Sequence, residues 1–338
     1  MKIQLLNFQC LTSVCCGMKM KPRKLAVIGA GPVGGILAAH LCAAGHTVMM
    51  VDSWKEHIER IRSRGLLIAG QEEMIARPSY LYDSIGSLGD IEPDFVFICT
   101  KGCDLDNVMG EMGGPLKGSR AVFVSFQNGI DTEQVIARHV ESSRVLRAVV
   151  SYAGVLVGPG VIRKSFFTPP NYLGALDPAG DGVCKEVAAL VSDSGLATEA
   201  TGAIRRYVWR KTILNTCTMA IAALTGMNMQ EMVEFPATAE LIERLLGESI
   251  AVAAAHGFDY GPEFVEMVRD FNRHAGPHRP SMSVDLEYGR KTENAFLVRR
   301  IAEYGEMKGV PVPLHRTMAN LIDGLEHRKI QSRGQAPN

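Results

Sequence analysis

Residues 24–52 read KLAVIGAGPVGGILAAHLCAAGHTVMMVD, and this stretch decides the fold. A short β-branched run, LAVI, enters Gly29-x-Gly31-x-x-Gly34. A small-residue helix then runs to about Ala44, Gly45 breaks it, and a second strand, TVMMV, ends at Asp52. A bare G-x-G-x-x-G occurs by chance, but a strand before it, a helix after it and an acid closing the next strand make it a dinucleotide-binding pattern. Gly29 permits the tight turn, Gly31 lets backbone approach a pyrophosphate, and Gly34 lets the helix pack close to the strand. The loop Gly29-Ala30-Gly31-Pro32-Val33-Gly34 thus leads into a helix N-terminus whose free N–H groups suit phosphate oxygens. Asp52 can accept from a ribose 2′-hydroxyl and would repel a 2′-phosphate, which favours NADH over NADPH. Lys55 and Arg60, just beyond, read as a solvated helix face.

Outward from this unit, DFVFICT (94–100) and AVFVSF (121–126) read as core strands, the first apolar enough to be covered on both faces. Ligands of such sheets bind beyond the carboxyl ends of the strands. Those ends carry Thr100-Lys101 and Gln127-Asn128-Gly129, so Lys101 and Asn128 are candidate cofactor contacts. Residues 144–201 are expected to add strands to the same sheet, with Gly158-Pro159-Gly160 as a hairpin turn and a helix near 183–194. Near 203 the hydrophobic period changes from 2 to 3.6. Helices are predicted at 204–224, 235–256, 262–273, 281–288, 292–308 and 314–327. The fold class is therefore α/β: a doubly wound sheet over residues 21–202, followed by an all-α domain over 203–330, with a cleft between them as the site.

Thirty-six basic and 36 acidic residues cancel in a chain of 338. Such a balance gives no global field to recruit nucleic acid or an anionic membrane, and a small molecule is the expected partner. Eight cysteines without C-x-x-C pairs suit reduced thiols in a cytoplasm. Residues 1–20 lack a signal-peptide pattern and read as a disordered tail or a mis-assigned start. His274 and His278 flank a Pro-Gly loop with no helix to align them, so no metal site is expected; the loop suits a lid over the cleft instead. The apolar helical half is expected to bury surface in a homodimer.

The helical half opens with VWRKTILNTCTMAIAALTG (208–226), in which Lys211 and Asn215 share one face of an otherwise apolar helix. Adding hydride to a ketone leaves an alkoxide, which needs a proton and a positive field at the oxygen. A desolvated lysine supplies both, and a buried ammonium calls for a carboxylate partner; Glu293, in the first turn of the 292–308 helix, is a candidate, but the helix dipole alone would also favour a carboxylate there.

From Lys24 to about residue 327 the chain resembles the ketopantoate reductase (2-dehydropantoate 2-reductase) family. The resemblance rests on GAGPVGG, CTK (99–101), FQNG (126–129), WRKTILN (209–215) and PSMSVDLEYGRKTE (280–293), in that order. It implies a Rossmann-type domain followed by a helical domain, and NADPH- or NADH-dependent reduction of a 2-oxo acid, the pantoate-forming step of pantothenate biosynthesis. It also implies that Lys211 protonates the substrate carbonyl and that Glu293 supports it or the substrate hydroxyl. Asn128 and Asn215 would hydrogen-bond at the nicotinamide and substrate, Ser281 would contact the substrate, and Lys101 would lie by the cofactor. Asp285 matches an acid of the last motif and is expected to be structural. Two departures point to NADH and a less polar 2-oxo acid: Met219 where many relatives carry a second asparagine, and Asp52-Ser53-Trp54-Lys55 where NADPH users commonly carry an arginine. The alternatives are an NAD-dependent 2-hydroxyacid dehydrogenase acting on another branched 2-oxo acid, and a catalytically silent dinucleotide-binding sensor.

Overall fold

A computed structural model describes residues 21–334; the expectation for residues 1–20 falls outside them. The strands are β1 (Lys24–Ile28), β2 (Thr47–Val51), β3 (Leu66–Gly70), β4 (Met74–Ala76), β5 (Tyr80–Tyr82), β6 (Phe95–Ile98), β7 (Val122–Ser125), β8 (Val145–Val149), β9 (Tyr152–Gly158), β10 (Val161–Phe167), β11 (Asn171–Ala175) and β12 (Thr198–Ala200). The helices are α1 (Pro32–Ala43), α2 (Lys55–Arg64), α3 (Leu105–Met112), α4 (Thr132–Ala137), α5 (Asp181–Asp193), α6 (Ile204–Thr225), α7 (Met229–Glu234), α8 (Pro236–Ala255), α9 (Pro262–His274), α10 (Ser281–Glu287), α11 (Val298–Lys308) and α12 (Pro313–Gly334).

The main sheet has the order β12-β11-β8-β7-β6-β1-β2-β5. From β5 to β8 every pairing is parallel, and β11 returns antiparallel to β8. Side chains alternate across it, as the pleat requires. Leu25, Val27, Phe97 and Val124 pack under α1 and α5, while Ala26, Ile28, Ile98 and Phe123 pack under α3 and α4. Because β1 has β2 on one side and β6 on the other, the chain order switches between β1 and β6. A crevice opens there at the carboxyl ends, where ligands of such sheets bind.

The sequence reading is corrected at 144–201. Strands β8, β11 and β12 do extend the main sheet, but β9 and β10 leave it as a hairpin. They join β3 and β4 in a separate sheet of order β4-β3-β10-β9. The physical reason is a close approach: a Cβ on Gly35 would lie 2.2 Å from Ile162 Cδ1, so β10 sits directly on α1. There Ile162 joins Leu66 and Ile68 of β3 in the core.

In the helical half, α6 is the central post. Ile213, Cys217 and Ile221 pack against Leu245, Leu246 and Val252 of α8 and Ile301 of α11. Ala220 and Ala223 pack against Met282 and Leu286 of α10 and Ala319 and Ile322 of α12. Trp209 is 1% exposed and fixes the start of α6 among His256, Phe258 and Tyr304. The helix stops at Gly226, whose φ of +77° lets its N–H close back on Ala222.

Two helical expectations change. The short α7 was missed, although its capping box, Asn228 with Glu231, stands in the sequence. The helix expected from 292 begins only at Val298, after a 3₁₀ turn, Asn294–Phe296. Side chains hold that segment out of the helix: Thr292 donates from N and Oγ1 to Glu326 (2.8 and 2.7 Å), and Asn294 Nδ2 donates to Ala319 O and Asp323. The loop read as a lid is fastened to α7, its His278 and Gly276 carbonyls accepting from Met229 and Gln230.

Candidate active site

The glycine loop is built as its spacing suggests, and each glycine has its own reason. Gly29 has a φ of +98°, and a Cβ there would meet the Cys99 carbonyl carbon at 2.9 Å. A Cβ on Gly34 would sit 2.0 Å from Gly29 O, so α1 rises directly off the loop. A Cβ on Gly31 would meet no protein atom within 4 Å. The protein itself therefore gives no packing reason for glycine at 31, as expected where space is kept for a ligand. The N-terminus of α1 has no side-chain cap, with Pro32 in its first turn, so its amides remain open to an anion. These features fit a dinucleotide pyrophosphate.

Asp52 is tied to the loop as well. Its Oδ2 accepts from Ala30 N at 2.7 Å and its Oδ1 from Trp54 N at 2.9 Å. Each oxygen keeps a lone pair for a hydroxyl donor. At the carbonyl of the same residue, His57 Nε2 donates to Ala30 O (3.0 Å), while His57 Nδ1 accepts from Gly160 N (2.9 Å). Burial pushes His57 below its ordinary value, so the neutral ring is favoured. Trp54, 39% exposed, stacks on this ring at 5.2 Å. Neither His57 nor Trp54 was singled out from the sequence; the signal was an aromatic pair just after the acid.

The 3₁₀ turn of the helical half is wedged between the loops after β6 and β7. A Cβ on Gly102 would come 2.8 Å from the Phe296 ring, and one on Gly129, where φ is +93°, would come 2.3 Å from Phe296 O. Ile130 N donates to the same Phe296 carbonyl at 2.9 Å. This contact sets Glu293 down in the crevice, where Oε1 accepts from Gly102 N and Oε2 from Asn128 Nδ2, each at 3.4 Å. Burial raises the Glu293 carboxyl above its usual range, against the pull of Lys101 and of these donors. Glu293 was expected in the first turn of a helix; it stands instead at the N-cap of the 3₁₀ turn.

Lys101 reaches across to the helical half, pairing with the buried Asp285 and donating to Lys291 O at 3.4 Å. Asp285 also faces Arg290 Nε at 3.3 Å. Ser281 begins α10 and is exposed.

From the other side, α6 delivers Lys211 to the end of β8, where Nζ donates to Val150 O at 2.7 Å. Burial, reinforced by the Arg147 guanidinium and opposed by Glu293, pushes the Lys211 ammonium down to about 8. The expected carboxylate partner acts through space: among the described residues Lys211 forms no ion pair with Glu293. One turn on, the half-buried Asn215 amide has no hydrogen-bond partner among the described residues. One turn further, Met219 packs at the edge of the α10–α12 core. Lysine, amide and thioether thus stand one turn apart along one side of α6. Arg147 was missed altogether, although an arginine in the apolar strand RVLRAVV was its signal.

An uncapped dinucleotide loop at a sheet switch point, closed by a helical domain carrying a softened lysine, defines an NAD(P)-dependent oxidoreductase. A model described as "Ketopantoate reductase PanE/ApbA" matches residues 25–178, and its C-terminal companion matches residues 203–326. The chain belongs to the ketopantoate reductase family. It is 28% identical to a 2-dehydropantoate 2-reductase of Halobacterium salinarum over 88% of this chain and 97% of that protein. It is 27% identical to that of Archaeoglobus fulgidus over 91% and 99%. Among solved structures, a PanE/ApbA family ketopantoate reductase from Ralstonia eutropha superimposes with a TM-score of 0.81 at 26% identity, covering 90% of this chain and 99% of that one. D-mandelate dehydrogenase with NADH and anilino(oxo)acetate shares the fold at a TM-score of 0.81 and 23% identity, with the same coverage. No helix among the described residues is long and apolar enough to cross a membrane.

Proposed function

We propose that the chain reduces 2-dehydropantoate, or a close 2-oxo acid, to the 2-hydroxy acid, with residues 21–202 binding the cofactor and 203–330 closing over the substrate. The observation that carries this reading is the Lys211 ammonium, softened to about 8, presented at the end of β8 one turn from an unpartnered Asn215. A bound nicotinamide cofactor supplies the hydride. Lys211 then gives its proton to the carbonyl oxygen as charge develops there, and the neutral amine is reprotonated from solvent. Asn215 and Ser281 hold the substrate, Asn128 orients the nicotinamide face, and Glu293 keeps Asn128 in place and balances the ammonium. Lys101, engaged with Asp285, closes the cofactor side. The test is steady-state oxidation of NADH and NADPH in parallel with ketopantoate and a panel of branched and aromatic 2-oxo acids. Turnover of at least one 2-oxo acid is expected; silence across the panel would move the chain to the sensor reading.

Cofactor choice rests on Asp52, whose two oxygens are anchored by Ala30 and Trp54. A fixed carboxylate beside the ribose disfavours a 2′-phosphate, so NADH is the preferred reductant. Asp52→Arg is expected to move the ratio of kcat/KM for NADPH over NADH upward by about tenfold or more, the effect of ~1.4 kcal/mol. An unchanged ratio would mean that the ribose is read elsewhere.

A second reading of the substrate is favoured by Met219. A thioether offers no donor to a substrate hydroxyl, and it sits against Met282 and Leu286, an apolar wall. That wall suits a 2-oxo acid with an apolar side chain. Met219→Asn is expected to raise kcat/KM for ketopantoate several-fold relative to an alkyl 2-oxo acid, by about the net worth of one hydrogen bond. Equal effects on both substrates would remove position 219 from specificity. A homodimer is part of the proposal, with the exposed Phe235, Phe271 and Leu321 of the helical half in support, and a cytoplasmic location goes with the free thiols of Cys42, Cys99, Cys103, Cys184 and Cys217.

A further inference from the structure

Arg147 is 3% exposed in the middle of β8, flanked by β7 and β11. A buried guanidinium is strongly unfavourable unless its donors are met. Here Nη1 donates to Gln127 O at 2.6 Å and to Ser125 Oγ at 3.1 Å, and Nη2 donates to Gly129 O at 2.8 Å. Its counter-charge is Glu133, 5% exposed, with Oε2 3.4 Å from Nε, an ion pair without hydrogen-bond geometry. The two carbonyls held by the fork flank Asn128 on either side. The loop is therefore pinned from below by a side chain that touches neither substrate nor cofactor in the reading above.

We propose that Arg147 is a positioning residue with two effects: its fork fixes the Gln127–Gly129 loop so that Asn128 meets Glu293, and its charge, three residues before the Val150 carbonyl that holds Lys211, adds to burial in favouring release of the Lys211 proton. The charge effect rests on Lys211 being the proton donor; the loop effect does not. A lysine in place of Arg147 would keep the charge but lacks the planar fork for two carbonyls. The charged groups around Lys211 are Arg147 from β8 and Glu293 from the turn before α11, with Lys101 and Asp285 behind Glu293. Those around Arg147 are Glu133, Asp131 and Glu293; Asp131 in turn meets Tyr304 and Arg300 of α11. Removing Arg147 leaves Glu133 unopposed, which acts on Lys211 in the same direction as losing the positive charge.

The test compares Arg147→Met and Arg147→Lys with the parent chain by two readouts. Competitive acylation of lysines in the cofactor-free protein, read by peptide mass spectrometry across alkaline pH, gives the Lys211 titration midpoint without turnover. Steady-state reduction gives kcat and its alkaline limb. In Arg147→Met the Lys211 midpoint and the alkaline limb are expected to move up by at least about half a pH unit. In Arg147→Lys both stay in place while kcat falls by about tenfold through the loosened loop. An unmoved midpoint in Arg147→Met, with only a lower melting temperature, overturns the charge effect. Parental kcat in Arg147→Lys overturns the loop effect; if the methionine variant fails to fold, Arg147→Gln, which removes the charge but keeps amide donors for the loop carbonyls, takes its place in the charge test with the same expected and overturning results. Normal turnover in Lys211→Ala would instead sink the proton-donor reading itself.

Discussion

Lys211→Ala is expected to lower kcat by about 10²- to 10⁴-fold, the usual contribution of a positioned general acid, while leaving the Kd for NADH within a factor of about two. The reason is geometric. Lys211 bonds to Val150 O at the end of β8, whereas the pyrophosphate loop, Asp52 and Trp54 stand at the ends of β1 and β2. Losing the ammonium removes the proton and the positive field at the carbonyl oxygen without touching the dinucleotide cradle. Small primary amines added to the variant should restore part of the rate. Fluorescence titration with NADH and steady-state kinetics on the same preparation separate the two effects; normal turnover in the variant would remove Lys211 from proton transfer.

Gly129→Ala carries the second large effect, and it arises at the seam between the two halves. The residue has a φ of +93°, and a Cβ would stand 2.3 Å from Phe296 O, a backbone atom that cannot rotate away. An L side chain in this conformation costs about 1–3 kcal/mol before any clash is counted. The 3₁₀ turn must withdraw, and Glu293 leaves Asn128 and Gly102 as it goes. We expect a lower melting temperature together with a loss of kcat of about 10²-fold, the scale of an ångström-sized misplacement of catalytic groups. Thermal melts and turnover measured in parallel check this. Parental activity in a variant that melts lower would mean that the seam stabilises the fold without setting the site.

The βαβ core, the polar ends of β6 and β7 and the Lys211–Asn215 row were legible because each is local. Strand, loop and helix announce themselves within 29 residues of sequence, from Lys24 to Asp52. The second sheet was not legible, since β10 chooses β3 as its parallel partner across a long stretch of chain. Period-2 alternation marks a strand but not the sheet it joins. Glu293 was found by its motif, yet its setting depends on the bonds of Thr292 and Asn294 to α12, which no spacing within 280–293 encodes. Arg147 escaped for a related reason: its meaning lies in the carbonyls of Gln127 and Gly129, contributed by the neighbouring loop.

The most direct test of the central claim is the pH dependence of kcat for 2-oxo acid reduction at saturating reductant, compared between the parent chain and Lys211→Ala. A donor with its pKa lowered to about 8 is charged below that value and spent above it. The rate is expected to fall as pH rises through about 8 in the parent, and the limb is expected to be absent in the variant. A parental rate that stays level or climbs through that region, or a variant that keeps the limb, would contradict it.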